Sequence, residues 1–222
     1  MKGTILSLDI FISVGTTFTE EQEQFVQAVF ESLRSNGLNP RALGRTDFTS
    51  REPLKKIQKM MEECVGSVII AFERVLISQG IEKRGHDDAK EIVPTKIPTV
   101  WNQLEAGMAY TRRLPLFVIV ESGIKEEGIL EAGYDWWVQK MPINKTNLSS
   151  PQYLSDLAEW KLATEKHAKK RTEDKISSTK KKAFGKPLLF FFLILATCLI
   201  AGASFYFGYN QGIESLLNPG PE

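Results

Sequence analysis

Residues 6–17 read LSLDIFISVGTT: a β-rich run that breaks into Gly15-Thr16-Thr17 immediately before a helical pattern begins. The order strand, loop, helix then repeats. Thr19 with Gln22 matches a capping box, and Phe25, Val26, Val29, Phe30 and Leu33 recur at helical spacing until Asn36-Gly37 closes the helix. Pro40–Gly44 fits a short strand. A second capping box, Thr49 to Glu52, opens a helix with Pro53 early and Leu54, Ile57, Met61 and Val65 on one face. Ser67–Phe72, all but free of polar residues, suits a strand buried on both sides. A polar stretch from Glu73 to Lys96 reads as a long functional or mobile loop. Thr99 then caps a helix through Tyr110, and Leu116–Val120 makes another buried strand. Trp136, Trp137, Tyr153, Leu157 and Trp160 suggest closing helices over the last open face. Strands alternating with helices imply an α/β fold, a three-layer open parallel sheet with right-handed crossovers.

The 222 residues suffice for one such domain and an appendage. The appendage is visible at 187–209, PLLFFFLILATCLIAGASFYFGY, long enough at 1.5 Å per residue to span the roughly 30 Å hydrocarbon core as one C-terminal transmembrane helix. Nine Lys and Arg between 166 and 186, against Glu173 and Asp174 alone, place the preceding side in the cytoplasm. The expected organisation is a cytosolic domain over 1–160, a basic juxtamembrane linker over 161–186, the span over 187–209 and a short extracytoplasmic tail over 210–222. The protein is thus expected in the cell membrane as a single-pass chain with its N-terminal domain cytoplasmic and the lipid bilayer as a partner. Small residues at Ala196, Ala201, Gly202, Ala203 and Gly208 would let spans approach closely, which points to a homo-oligomer. A net charge of +1 argues against a nucleic-acid partner. Cys64 and Cys198 form no disulfide framework and suit a reducing compartment.

In an open parallel sheet, ligands bind beyond the carboxyl ends of the strands, so the loops there hold the candidate residues. After the first strand, Ser13, Gly15, Thr16 and Thr17 offer hydroxyls and amides beside a helix N-terminus, which suits a phosphate or ribose. The helix WNQLEAGMAY, 101–110, carries the most chemistry. Its spacing sets Trp101, Glu105 and Met108 on one face, so a carboxylate lies among apolar side chains, where burial raises its pKa and makes it useful to catalysis. Gly107 costs the helix about 1 kcal/mol against Ala, a cost expected where a backbone or ligand approaches closely. Arg74 and Asn102 join the candidate ligand-binding set. His86, Asp87 and Asp88 read as solvated loop residues, so no metal site is expected.

The strand end ISVG, the buried strand CVGSVIIAF, and the helix NQLEAGMAY before the strand LPLFVIV together resemble the nucleoside 2-deoxyribosyltransferase-like and TIR-like group over about residues 7–125. That resemblance implies a flavodoxin-like/TIR-like sheet. It also implies that Glu105 attacks or stabilises the anomeric carbon of an N-glycosidic bond, with Gly107 and Ala109 at the small positions of the motif. The chain departs from the group after the third strand, where Glu73-Arg74 and a long charged loop replace an acidic or aromatic substrate contact. The implied activity is a membrane-anchored N-glycosidase acting on NAD or a related nucleotide, in defence or signalling, with no further cofactor. Two other readings stand beside it: a nucleotide sensor whose binding drives transmembrane-helix assembly and membrane disruption, and a TIR-like adaptor.

Overall fold

The structure, a computed structural model, describes residues 8–179 together with 203 and 204. The chain divides into two units, Met1–Lys170 and Arg171–Glu222. In the first, β1 (Leu8–Val14), α1 (Glu20–Ser35), β2 (Leu38–Arg41), α2 (Pro53–Glu63) and β3 (Gly66–Ala71) follow in order. Four short strands come next: β4 (Val75–Ile77), β5 (Ile81–Glu82), β6 (Lys90–Glu91) and β7 (Thr95–Ile97). Then come α3 (Val100–Thr111), β8 (Leu116–Glu121) and β9 (Trp137–Met141), and a helix α4 over 151–179 whose residues to 170 belong to this unit. Of the second unit, 171–179 are helical, as are 203 and 204.

The central sheet has the order β2-β1-β3-β8-β9, and every pairing in it is parallel. Alternation along each strand builds two cores, because successive side chains leave opposite faces. Ile10, Ile12, Val68, Ile70, Phe117 and Ile119 pack on one face against Phe25, Val26 and Val29 of α1 and Tyr153, Leu157 and Trp160 of α4. On the other face, Phe11 packs with Ile57, Met60 and Met61 of α2, while Ile69, Val118 and Val120 pack with Ala106 of α3. The three-layer open parallel sheet is therefore as the alternation of elements implied.

Several local expectations are corrected. Trp136 and Trp137 do not belong to a closing helix: Trp137 begins β9, a fifth strand beside β8. Only Gln139 and Met141 of β9 are fully buried, so the strand lacks the apolar run by which its inner neighbours announce themselves. Thr49 does not cap α2. Its hydroxyl donates to the carbonyl of Arg51, and the N-cap is Glu52 at φ 53°, since Pro53 keeps the residue before it out of the right-handed helical region. Thr19, in contrast, accepts from the Gln22 amide at 3.2 Å and caps α1 as expected. The second strand is Leu38–Arg41, with Gly44 in the loop beyond it.

The 73–96 stretch is not a bare loop. β4 pairs with β7 and β5 with β6, both antiparallel, and the excursion is fastened at its base by Lys96, whose ammonium meets Glu73 at 2.8 Å and Glu121 at 2.9 Å. At the other end of the unit, Trp160 and Thr164 are fully buried, so α4 seals the sheet with residues past 160. Gly66 makes that approach possible, because a Cβ there would lie 2.9 Å from the Thr164 hydroxyl. Among the described residues no helix is long and apolar enough to cross a membrane. The apolar run 187–209, apart from residues 203 and 204, lies outside the described residues, as do Cys198 and most of the small residues on which the oligomer expectation rests.

Candidate active site

The strand order reverses between β1 and β3: from β1 the chain moves outward to β2, and from β3 it moves the other way to β8. Such a switch point opens a crevice at the carboxyl ends of the strands. Into it run the end of β1 at Ser13, the end of β3 at Ile70, and the first turns of α3, whose N-cap Thr99 accepts from the Trp101 amide. Ser13 shares the parity of Phe11 rather than that of Ile10 and Ile12, so its side chain leaves the sheet on the face that α3 covers.

Asn102 ties these parts together. Its amide nitrogen donates to the Ser13 hydroxyl at 3.1 Å, to the Ser13 carbonyl at 3.5 Å and to the Ile70 carbonyl at 3.3 Å. Its Oδ1 is buried without a partner. The Ser13 hydroxyl, accepting from Asn102, in turn hydrogen-bonds Glu105. Burial pushes the Glu105 carboxyl up to about 7, and the Ser13 hydrogen bond opposes that rise. The result is a chain from Asn102 through Ser13 to a carboxyl only 9% exposed, poised near neutrality at the switch point.

The notch beside this chain is lined by Gly15, Thr16, Phe18, Phe72, Glu73, Arg74, Thr99 and Asn102. It occupies about 220 Å³ with its open mouth included, and has room for only about one water molecule. The Arg74 guanidinium lies 5.1 Å from the centre of the Phe18 ring across this mouth, and Phe18 is 60% exposed. The backbone beneath is firm: Gln22 accepts from the Phe18 amide and donates to the Glu73 carbonyl, and the Arg74 amide donates to Ile97. Gly15 lets α3 sit close here, since a Cβ would come within 3.2 Å of the Thr99 methyl, which would have to give by a few tenths of an ångström.

Of the residues singled out in the sequence, Gly15, Thr16, Arg74 and Asn102 line the notch, and Ser13 links it to Glu105. Thr17 turns elsewhere: its hydroxyl donates to Glu23 and accepts from Arg45, whose hydrogen bonds pull the Glu23 carboxyl down to about 2. Trp101 and Met108 do not share the buried face of Glu105. That face is Asn102, Glu105, Ala106 and Ala109, while Trp101 is 43% exposed and Met108 packs against the α2 side of the core. Gly107 is exposed and a Cβ there would meet nothing within 4 Å, so no protein backbone approaches it. Neither Arg112 nor Arg113 neutralises Glu105; Arg112 instead donates to the Met108 carbonyl. Phe18, Phe72, Glu73 and Thr99 also line the notch and were not among the candidate residues. Phe18 could have been noticed as a large apolar residue in the loop that follows β1. Among the described residues no group of three or more His, Cys, Asp or Glu is arranged to hold a metal ion, and His86 and Asp88 are exposed.

No protein family matches the chain in sequence, and no curated protein matches it. Among solved structures it is similar to the CMP N-glycosidase BcmB of Clostridium botulinum, over 68% of this chain and 98% of that one, with 10% identity and a TM-score of 0.41. It is also similar to a flavodiiron core from Synechocystis, over 72% of this chain and 36% of that one, with 11% identity and a TM-score of 0.43. Likenesses this distant leave the chemistry to this chain's own residues.

Proposed function

We propose that the chain is a nucleotide N-glycosidase, acting on NAD or a related nucleotide, with Glu105 as the group that meets the anomeric carbon. The observation that supports this reading most is the buried Glu105 carboxyl, held by Ser13 and Asn102 at the switch point with its pKa near 7. Cleaving an N-riboside builds positive charge on C1′ and O4′ as the base leaves with the bonding electrons. A carboxylate fixed beside C1′ stabilises that charge or bonds to C1′, after which water releases the sugar. In this reading a ligand enters by parting Phe18 from Arg74, because the notch as it stands encloses too little space for a ribose. Phe18 then offers a ring face to the base and Arg74 its charge to a phosphate. The apolar run 187–209 tethers this activity to the inner face of a membrane, a part of the proposal carried by hydropathy and the positive stretch before it.

The test is base release, followed by chromatography, from NAD, nucleoside monophosphates and nucleosides incubated with the full chain. Wild type is expected to release base, and Glu105→Gln to lower kcat/KM at least about 100-fold, the scale of losing one well-placed electrostatic group. Release by the variant at the wild-type rate would remove Glu105 from the mechanism, and no release by wild type from any of these substrates would overturn the enzyme reading.

One observation favours a second reading, a nucleotide sensor that does not cleave. With its pKa raised by burial to about 7, Glu105 is in part a neutral acid at neutral pH, a state that hydrogen-bonds a ribose hydroxyl but does not stabilise an oxocarbenium ion. The sensor predicts nucleotide binding by calorimetry without base release, and weaker binding in Glu105→Gln.

A further inference from the structure

On the opposite edge of the sheet from Glu105, where β8 and β9 begin, an open cavity of about 530 Å³ lies between the end of α3, the strand starts and Ala163 of α4. Its size falls in the range of small-molecule pockets. Tyr110, Trp136 and Trp137 supply aromatic walls. Tyr110 meets Trp136 edge-on at 5.7 Å, and Tyr134 stacks on Trp136 at 4.7 Å, so the indole is already oriented by its neighbours. The Trp136 Nε1–H is buried and has no acceptor, which leaves the ring held by packing alone.

The charged group at this cavity is placed at a cost. Helix α3 ends with the Leu114 amide donating to Ala109 and the Arg113 amide to Tyr110, an arrangement whose left-handed position normally holds glycine. Arg113 occupies it at φ 59°. Any Cβ is disfavoured in that conformation, and the requirement for a turn alone would be better met by glycine. Among the described residues neither Arg113 nor Asp135, also at the cavity, forms an ion pair; Asp135 accepts only from the Tyr110 hydroxyl at 3.5 Å. Arg113 is the one of the two charges that the chain holds against its backbone preference, at φ 59°.

We propose that this cavity is a second ligand site, distinct from the switch point, for a small aromatic anion: the ring lies against Trp136 and Tyr110, and a carboxylate or phosphate group is held by Arg113. A base-sized ring gains face and edge contacts from these walls, and the guanidinium adds a charge-assisted hydrogen bond that a neutral ring would lack.

Phenyl phosphate titrated into the full chain, followed by tryptophan fluorescence, tests this directly. Benzylamine is the charge-reversed control and inorganic phosphate the ringless one. A saturable change with phenyl phosphate is expected, with weaker or no response to both controls. Arg113→Gly should weaken phenyl phosphate binding at least about tenfold, the loss of one charged hydrogen bond, while the melting temperature holds or rises because the left-handed strain is relieved. The proposal is overturned if wild type shows no saturable change, if Arg113→Gly binds as tightly as wild type, or if benzylamine binds more tightly than phenyl phosphate.

Discussion

Glu105 carries the heaviest electrostatic cost of the site, and that cost has a definite pH signature. An ordinary glutamate loses its proton near 4.5, and burial holds this one to about 7. Between those values the folded state keeps a proton that the unfolded chain has lost, so the contribution of Glu105 to stability is full below pH 4.5 and falls away as pH rises through 7. Glu105→Gln has no charge to bury. Its unfolding free energy should match that of wild type near pH 4 and exceed it by up to about 3 kcal/mol at pH 8, as read by denaturant melts at the two pH values; an equal gap at both would show that the carboxyl is not buried with a raised pKa. Ser13 acts through Glu105 rather than on a ligand. Ser13→Ala removes the hydrogen bond that opposes the rise, so the acid limb of the kcat/KM profile should move to higher pH, and an unmoved limb would deny Ser13 this positioning role. Glu105 was legible as a candidate because its helix is otherwise apolar around it. The chain through Ser13 and Asn102 was not, because 89 residues separate the two and only the sheet brings them together.

Among the elements, the two Thr-led caps read alike in sequence and differ in the fold. Thr19→Ala should cost about 1 kcal/mol by freeing the Gln22 amide, while Thr49→Ala should change thermal stability little, since that hydroxyl binds the Arg51 carbonyl outside the helix. Comparable losses at both sites would mean that Thr49 does cap α2. Gly107 is a second case. Its surroundings are empty, so Gly107→Ala should stabilise α3 by roughly 0.5–1 kcal/mol; a loss of base release with that gain in stability would show that the glycine serves ligand approach rather than packing. β3 and β8 were legible through their apolar runs, β1 through its β-rich run before Gly15, and α1 through its period and cap. β9 escaped because a half-buried edge strand that reads Trp-Val-Gln-Lys-Met lacks either signature.

Over the whole molecule, α4 decides where the folded unit can be cut. Tyr153 and Trp160 are fully buried, both rings meet Phe117, and the Trp160 indole donates to the Pro115 carbonyl at 3.0 Å. A fragment of residues 1–170 should therefore unfold cooperatively, whereas one of residues 1–150, which uncovers Phe117, should not; the comparison is made by circular dichroism on heating. Removing residues 187–222 should release the chain from membranes on sedimentation, and persistence in the membrane fraction would refute the tether. The alternation of strand and helix, the cap of α1 and the isolation of Glu105 in an apolar helix were determined by sequence alone, because each depends on residues within a few turns of one another. The fifth strand, the role of α4 past residue 160, the closure of the notch by Phe18 and Arg74, and the pKa of Glu105 were decided by tertiary structure. Each of these depends on desolvation or contact between distant segments, which only the folded sheet creates.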